Sequence, residues 1–262
     1  MIDTHAHINT KEFDNRLDEV LMNAKLNGVD KILVVGMDTY HNLRAIELAS
    51  TFDNLYASVG IHPTSLSGYV KDLLPLFKHK KVVAVGETVI DLYWDKSNLD
   101  EQIKYFTEQI ELAISLNLPI IVHTRNSFNE AYECLLPYKG KIKGVFHSFS
   151  SDIEDAQKAI ELGFLIGISG VVTFKKATDL HEIVEKIDIS HMILETDSPY
   201  LAPVPFRGKI NEPGYTKYVL ETVSKIKNME IHEVDKITTL NAIKLFQLEE
   251  TLWKKYWISY YS

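Results

Sequence analysis

Asp3-Thr4-His5-Ala6-His7 follows a short apolar opening, Met1-Ile2. Side chains alternate faces on a β-strand, so His5 and His7 point the same way and both imidazoles can reach one metal ion. An isolated His-x-His is also an ordinary polar strand edge, so the rest of the chain must decide. More groups of the same chemistry follow at intervals. They are His62 in Gly60-Ile61-His62-Pro63, Glu87 after Gly86, His123 in Val122-His123-Thr124-Arg125, His147 after Phe146, and Asp197 in Glu195-Thr196-Asp197. Imidazole with carboxylate suits Zn²⁺, Mn²⁺ or Fe²⁺, and an oxygen-rich set favours Mg²⁺. His5, His7, Glu87, His123, His147 and Asp197 are enough ligands for two divalent ions (Mg, Mn or Zn). Glu87 has two carboxylate oxygens and is expected to bridge a pair about 3.5–4 Å apart. Asp197 has a second use, because a carboxylate beside an activated water can orient it and take its proton.

These residues need elements to hold them. Short β-branched apolar runs recur along the chain, at residues 31–35, 55–59, 82–85, 119–122, 143–146, 164–168 and 191–194, and the opening segment makes eight. Unbroken apolar runs argue for a sheet buried on both faces. Between them lie helical stripes: Leu17, Val20, Leu21 and Ala24; Ile103, Phe106, Ile110, Ala113 and Ile114; Ile153, Ala156, Ala159 and Ile160. Gly28 and Gly163 read as helix stops. Eight βα units imply an α/β fold of the (β/α)₈ TIM-barrel type, with the metal site at the C-terminal ends of the strands. A doubly wound open sheet is the runner-up, weakened by the lack of a Gly-x-Gly-x-x-Gly after the first strand. No repeat or linker divides the chain, so residues 1–262 are expected to form one domain.

Read from the proposed strand ends, five of the ten histidines and two carboxylates fall at one rim. Singly, Glu87 or Asp197 could cap the following helix. Together, buried imidazoles and carboxylates at one end of a closed barrel need partners, and a divalent metal supplies them. The formal net charge is -8 over 262 residues, so nothing global favours coating nucleic acid, and any such contact must be local. Arg125, Lys175, Lys176, Arg207 and Lys209 follow strands five, seven and eight and could hold a phosphodiester at that rim. Lys175-Lys176 also reads as a solvated helix start. With one cysteine, Cys134, no intrachain disulfide is possible, and its surroundings suggest a buried helical position. No signal peptide opens the chain and no apolar run spans a bilayer, so a cytoplasmic enzyme without membrane contact or an obligate protein partner is expected. Leu252, Trp253, Tyr256, Trp257, Tyr260 and Tyr261 recur at helical spacing near the end, as a last packed helix or an oligomer contact.

The motifs then combine. Asp3 to His7, Gly60 to Pro63, Gly86-Glu87, Val122 to Arg125, Phe146-His147-Ser148-Phe149-Ser150, Leu194 to Leu201 and Arg207-Gly208-Lys209-Ile210-Asn211-Glu212-Pro213 occur in that order. This arrangement resembles the TatD family of metal-dependent deoxyribonucleases within the amidohydrolase superfamily. The resemblance implies His5, His7, Glu87 and Asp197 around one ion and Glu87, His123 and His147 around a second. It implies that His62 lies near the substrate phosphate as a catalytic or binding group. It also implies 3′-to-5′ exonuclease action on nucleic acid, DNA ahead of RNA, with ester cleavage, for example of D-aminoacyl-tRNA or a small molecule, as the alternative. Ala6, Val89, Ser151 and Ile210 depart from the family pattern, and none is a proposed ligand.

Overall fold

The computed structural model describes residues 1–62, 70–93 and 97–248. The aromatic repeat after residue 250 lies outside the described residues. In chain order the elements are β1 (Ile2–Ala6), α1 (Leu17–Leu26), β2 (Lys31–Val35), α2 (Thr39–Thr51), β3 (Leu55–Val59), β4 (Val82–Asp91), α3 (Leu99–Leu116) and β5 (Ile120–Arg125). Then follow α4 (Phe128–Leu135), β6 (Gly144–Phe146), α5 (Ile153–Glu161), β7 (Phe164–Ile168), α6 (Thr178–Lys186), β8 (Met192–Leu194), α7 (Thr216–Lys227) and α8 (Ile231–Phe246). The eight strands pair in sequence order, each parallel to the next. Closure between the ends of the sheet is made past β8, where Asp197 N–H donates to His5 O at 2.9 Å and His7 N–H to Ser198 O at 2.7 Å. This is a TIM barrel.

Alternation along each strand explains the unbroken apolar runs. Ile32 and Val34 pack outward against the helices, while Leu33 and Val35 join a second cluster inside the barrel with Ile2, Tyr56, Ala84, Ile121, Val145 and Ile193. Ala242, Leu245, Phe246 and Leu248, at the end of α8, pack on that inner cluster and fill it from the strand-start side. With one end of the barrel filled by apolar side chains, the polar residues gather at the other.

Three expectations change. β4 does not end at Glu87 but runs on to Asp91, paired with β5 as far as Asp91 and Arg125, so Glu87 sits inside a strand. Between β3 and β4 the helix position is taken by a 3₁₀ segment, Val70–Lys78, which contains Pro75; proline lacks the N–H an α-helix needs there. His191 lies in a 3₁₀ turn before β8 rather than in the strand. Gly28 and Gly163 stop their helices at φ 81° and 91°, a left-handed region that favours glycine. Cys134 is on α4 as expected but only half-buried.

Candidate metal centre

The local backbone of β4 sets the centre. The β4–β5 register shifts between Val85 and Thr88, which frees Gly86 and Glu87 from the regular alternation. Gly86 takes φ +138°, and a Cβ there would lie 2.8 Å from Ile121 O. A Cβ on Gly60 would lie 2.6 Å from Glu87 O. Both glycines therefore let β3, β4 and β5 approach where Glu87 turns into the barrel mouth.

Around Glu87 the six ligand candidates fall into two sets. In the first, His5 Nε2 and His7 Nε2 are 3.1 Å apart. Each lies close to Glu87 Oε2, at 3.6 and 3.5 Å, and to Asp197 Oδ1, at 3.7 and 3.5 Å. In the second, His123 Nδ1 and His147 Nε2 are 2.7 Å apart and lie 3.3 and 3.1 Å from the other Glu87 oxygen, Oε1. One carboxylate thus offers one oxygen to each set. Ligands bonded at about 2.0–2.2 Å to a common ion sit roughly 3–3.5 Å from one another, and the distances within the two sets, from 2.7 to 3.7 Å, bracket that spacing. His5 and His147 stack in parallel at 3.7 Å, 8° between planes, joining the two halves. Asp197 reaches its set from a left-handed backbone, φ 59°, a conformation that aspartate tolerates better than most residues.

The histidines are oriented from behind. His7 Nδ1 donates to Val35 O at 3.2 Å, which leaves the Nε2 lone pair free to bind an ion. His147 Nδ1 lies 3.5 Å from Glu195 Oε1. Glu195 also accepts from Ser148 N–H. Its Oε2 and His5 Nδ1 are buried without a hydrogen-bond partner among the described residues. Asp3, two residues before His5, accepts from Thr196 Oγ1 at 2.6 Å, Thr196 N–H at 3.0 Å and His5 N–H at 3.3 Å. Burial pushes its carboxyl up to about 8.

Charges inside the cluster are strongly coupled. Burial opposes ionisation of Glu87, yet the His147 and His5 imidazoles hold it well below the usual carboxylate range. Burial likewise works against the charge on Asp197, but the hydrogen bond to His7 keeps its pKa lowered. His147 and His7 are raised against their burial, by Glu87 and by Asp197 respectively. Burial lowers His5 and His62 and brings His123 down to about 4. Two ionised carboxylates facing several neutral or partly charged imidazoles are a donor set that suits borderline divalent cations.

His62 stands beside this group, its ring 6.4 Å from that of His123. It is held by its backbone. Asn42 on α2 pairs with both polar groups of Gly60, at 2.9 and 3.1 Å. Gln109 on α3 does the same for Ile61, at 2.8 and 3.1 Å. His62 N–H then donates to Met37 O at 2.8 Å. Gln102, also on α3, clamps Asp91 in the same way at 2.8 and 3.1 Å. Of the rim cations, Arg125 lies 3.8 Å over the Tyr93 ring, Arg207 lies 4.3 Å over Phe174, and Lys175 is exposed. Of the remaining histidines, His41 pairs with Asp38 at 2.8 Å, His79 with Ser50 Oγ at 2.9 Å, and His181 donates to Val172 O at 2.8 Å.

Sequence reasoning assigned no role to Asp3, Glu195 or the amide braces. Asp3 has the sequence parity of His5 and His7, which was a usable signal, although the β1 register shifts between Asp3 and Ala6. Glu195 lies two residues before Asp197, but the left-handed turn at Asp197 breaks that parity. Nothing local marks Asn42, Gln102 or Gln109, because their partners are 18, 11 and 48 residues away.

Comparison with known proteins agrees with this architecture. A family profile described as "TatD related DNase" matches residues 2–247. The metal-dependent hydrolase YabD of Bacillus subtilis (strain 168) is 40% identical over 253 residues, covering 95% of this chain and 99% of that protein. The crystal structure of YJJV, a TatD homolog from Escherichia coli K12, superimposes with a TM-score of 0.89 at 28% identity, covering 95% of this chain and 98% of that one. A TatD-family hydrolase from Entamoeba histolytica superimposes with a TM-score of 0.82 at 25% identity, over 94% of this chain and 97% of that one.

Proposed function

The chain belongs to the TatD family of metal-dependent hydrolases, and on that premise we propose that it hydrolyses phosphodiester bonds of nucleic acid, DNA ahead of RNA, releasing nucleotides from a 3′ end. The observation that carries this reading is the divided Glu87 carboxylate, one oxygen facing His5, His7 and Asp197 and the other facing His123 and His147. His5, His7, Glu87 and Asp197 would hold one divalent ion and Glu87, His123 and His147 a second. Such a pair supplies Lewis acidity, lowers the pKa of water and neutralises charge on a phosphoryl oxygen.

The chain's own groups do the rest. Asp197 is kept ionised by His7, so at neutral pH its Oδ can accept a proton from the attacking water. His62 is kept largely neutral by burial, so it can accept or donate one hydrogen bond at the phosphate without adding fixed charge. Arg125, Lys175 and Arg207, exposed on the rim, would meet the flanking phosphates. The second reading is hydrolysis of a carboxylic ester or amide with the same groups. It draws on the relatives, which are metal-dependent hydrolases with no substrate class in common.

The purified protein should release mononucleotides from the 3′ end of a labelled oligodeoxynucleotide with Mg²⁺ or Mn²⁺, and EDTA should stop it. Turnover of a D-aminoacyl-tRNA or a lactone, with no nucleotide released by metal-loaded protein, would replace the phosphodiesterase reading with the second.

A further inference from the structure

Among the described residues three aromatic side chains are more than half exposed: Tyr40 at 61%, Tyr93 at 55% and Tyr200 at 53%. All three lie just past the C-terminal ends of strands, after β2, β4 and β8. The described aromatic residues elsewhere are buried or half-buried. Leaving rings in water forgoes the stabilisation that burial would bring, and here every such ring is on the rim that carries the candidate metal centre.

Tyr200 is distinguished from the other two. One face of Tyr93 is covered by the Arg125 guanidinium at 3.8 Å, and Tyr40 packs on His41 at 5.2 Å. Tyr200 instead sits edge-on to the ligand candidate His7, with ring centroids 6.1 Å apart. Its main chain is pegged on both sides. The N–H donates to Asp197 O at 2.8 Å, and the carbonyl accepts from Asn211 Nδ2 at 2.6 Å. Asn211 is itself fully buried and also holds Thr196 O at 2.8 Å. The result is a flat, uncharged, rigidly mounted surface beside the centre, in a molecule whose net charge of -8 weakens electrostatic capture of a polyanion. Base stacking on an aromatic ring supplies affinity that does not depend on charge.

We propose that Tyr200 is the platform on which the base of the departing terminal nucleotide stacks. The inference rests on the phosphodiesterase reading above and adds a base subsite to it. A single-stranded oligodeoxynucleotide with 2-aminopurine at its 3′ end and a phosphorothioate last linkage tests stacking directly on metal-loaded protein. Wild type and Tyr200→Phe should quench the probe, and Tyr200→Ala should lose the quench and bind about tenfold more weakly. In parallel, kcat/KM is compared for natural linkages ending in a base or an abasic sugar. The ratio should be about tenfold for wild type and Tyr200→Phe and near one for Tyr200→Ala, with metal content measured as a check on folding. Quenching or a base preference that survives in Tyr200→Ala overturns the proposal, and so does a Tyr200→Phe as impaired as Tyr200→Ala, which would assign the hydroxyl instead of the ring. Quenching that follows Tyr200 without nucleotide release leaves the platform standing and removes the phosphodiesterase reading. A wild type that neither binds nor quenches removes both.

Discussion

Asp197 is held at φ 59°, with its carboxylate between two histidines and solvent at the barrel mouth. An isosteric Asp197→Asn keeps the shape and removes the proton acceptor. Turnover should fall by about 10²–10⁴, and the rise in thermal midpoint on adding metal should shrink while the variant still melts cooperatively by calorimetry. The coupled histidines predict a pH signature for the metal-free chain. His123, at about 4, and His62 are depressed in the fold. Below the ordinary histidine pKa near 6.5 the unfolded chain therefore binds more protons, and stability is lost as pH falls from there toward 4. His147 and His7 are raised. The folded chain then holds more protons above that same value, and their contribution is lost as pH rises through their folded pKa values. Divalent metal competes with those protons. The gap in melting temperature between Mn²⁺-loaded and EDTA-treated protein should accordingly widen from pH 6 to pH 8, as read by differential scanning fluorimetry. A gap that narrows over this range would contradict the ligand assignment of His7 and His147.

At the scale of elements, the centre depends on an interruption in β4 and on helices that grip the neighbouring strand ends. The register shift at Gly86–Glu87 turns the Glu87 carboxylate inward in mid-strand, where an unbroken ladder would have alternated past it. Asn42 and Gln109 each pair twice with consecutive residues of the segment leading to His62. They extend the ladder of β3 with side-chain amides after the backbone ladder has ended. Gln109→Ala leaves the buried N–H and C=O of Ile61 unpaired and should cost about 2–4 kcal/mol of stability, measurable as a shift in the denaturant midpoint. If the brace serves His62, the same variant should lose kcat/KM about tenfold or more with full metal content. Loss of stability alone, with unchanged kinetics, would make Gln109 a purely structural residue.

The whole molecule is a closed parallel barrel filled at one end by α8 and polar at the other. Its closure depends on few groups: Asp3 and Thr196 link β1 to the segment after β8, next to the hydrogen bonds between His5, His7, Asp197 and Ser198. The same contacts that close the barrel therefore set the first ligand pair against Asp197. No described helix is long and apolar enough to cross a membrane. Electrostatics at this scale bears on substrate capture. The net charge is -8, and the described rim cations Arg125 and Arg207 lie on aromatic faces. With only Arg125, Lys175 and Arg207 to meet phosphates, affinity for an oligonucleotide should fall about 20–40-fold between 50 and 200 mM salt, compared with about 10³–10⁵ for a protein that neutralises six to ten phosphates. A titration of anisotropy against salt distinguishes the two regimes.

The barrel was legible in the sequence because its signals are local and repeated. Each strand is buried on both faces, so its composition declares it without a partner, as at Lys31–Val35 and Phe164–Ile168. His5 and His7 were legible as a pair because strand parity is a property of the backbone itself. Chemistry also nominated Glu87, His123, His147 and Asp197, not singly but together, since imidazoles and carboxylates gathered at one rim of a closed barrel need partners. Three features needed the tertiary structure. The continuation of β4 to Asp91 depends on pairing with β5. The braces join residues as far apart as Ile61 and Gln109. The bridging place of Glu87 was expected, but the distances from its two oxygens to the two histidine pairs depend on four strands meeting at one mouth. Residue type and parity are written along the chain, but distance between ligands exists only once the barrel closes, because closure brings residue 197 beside residue 5.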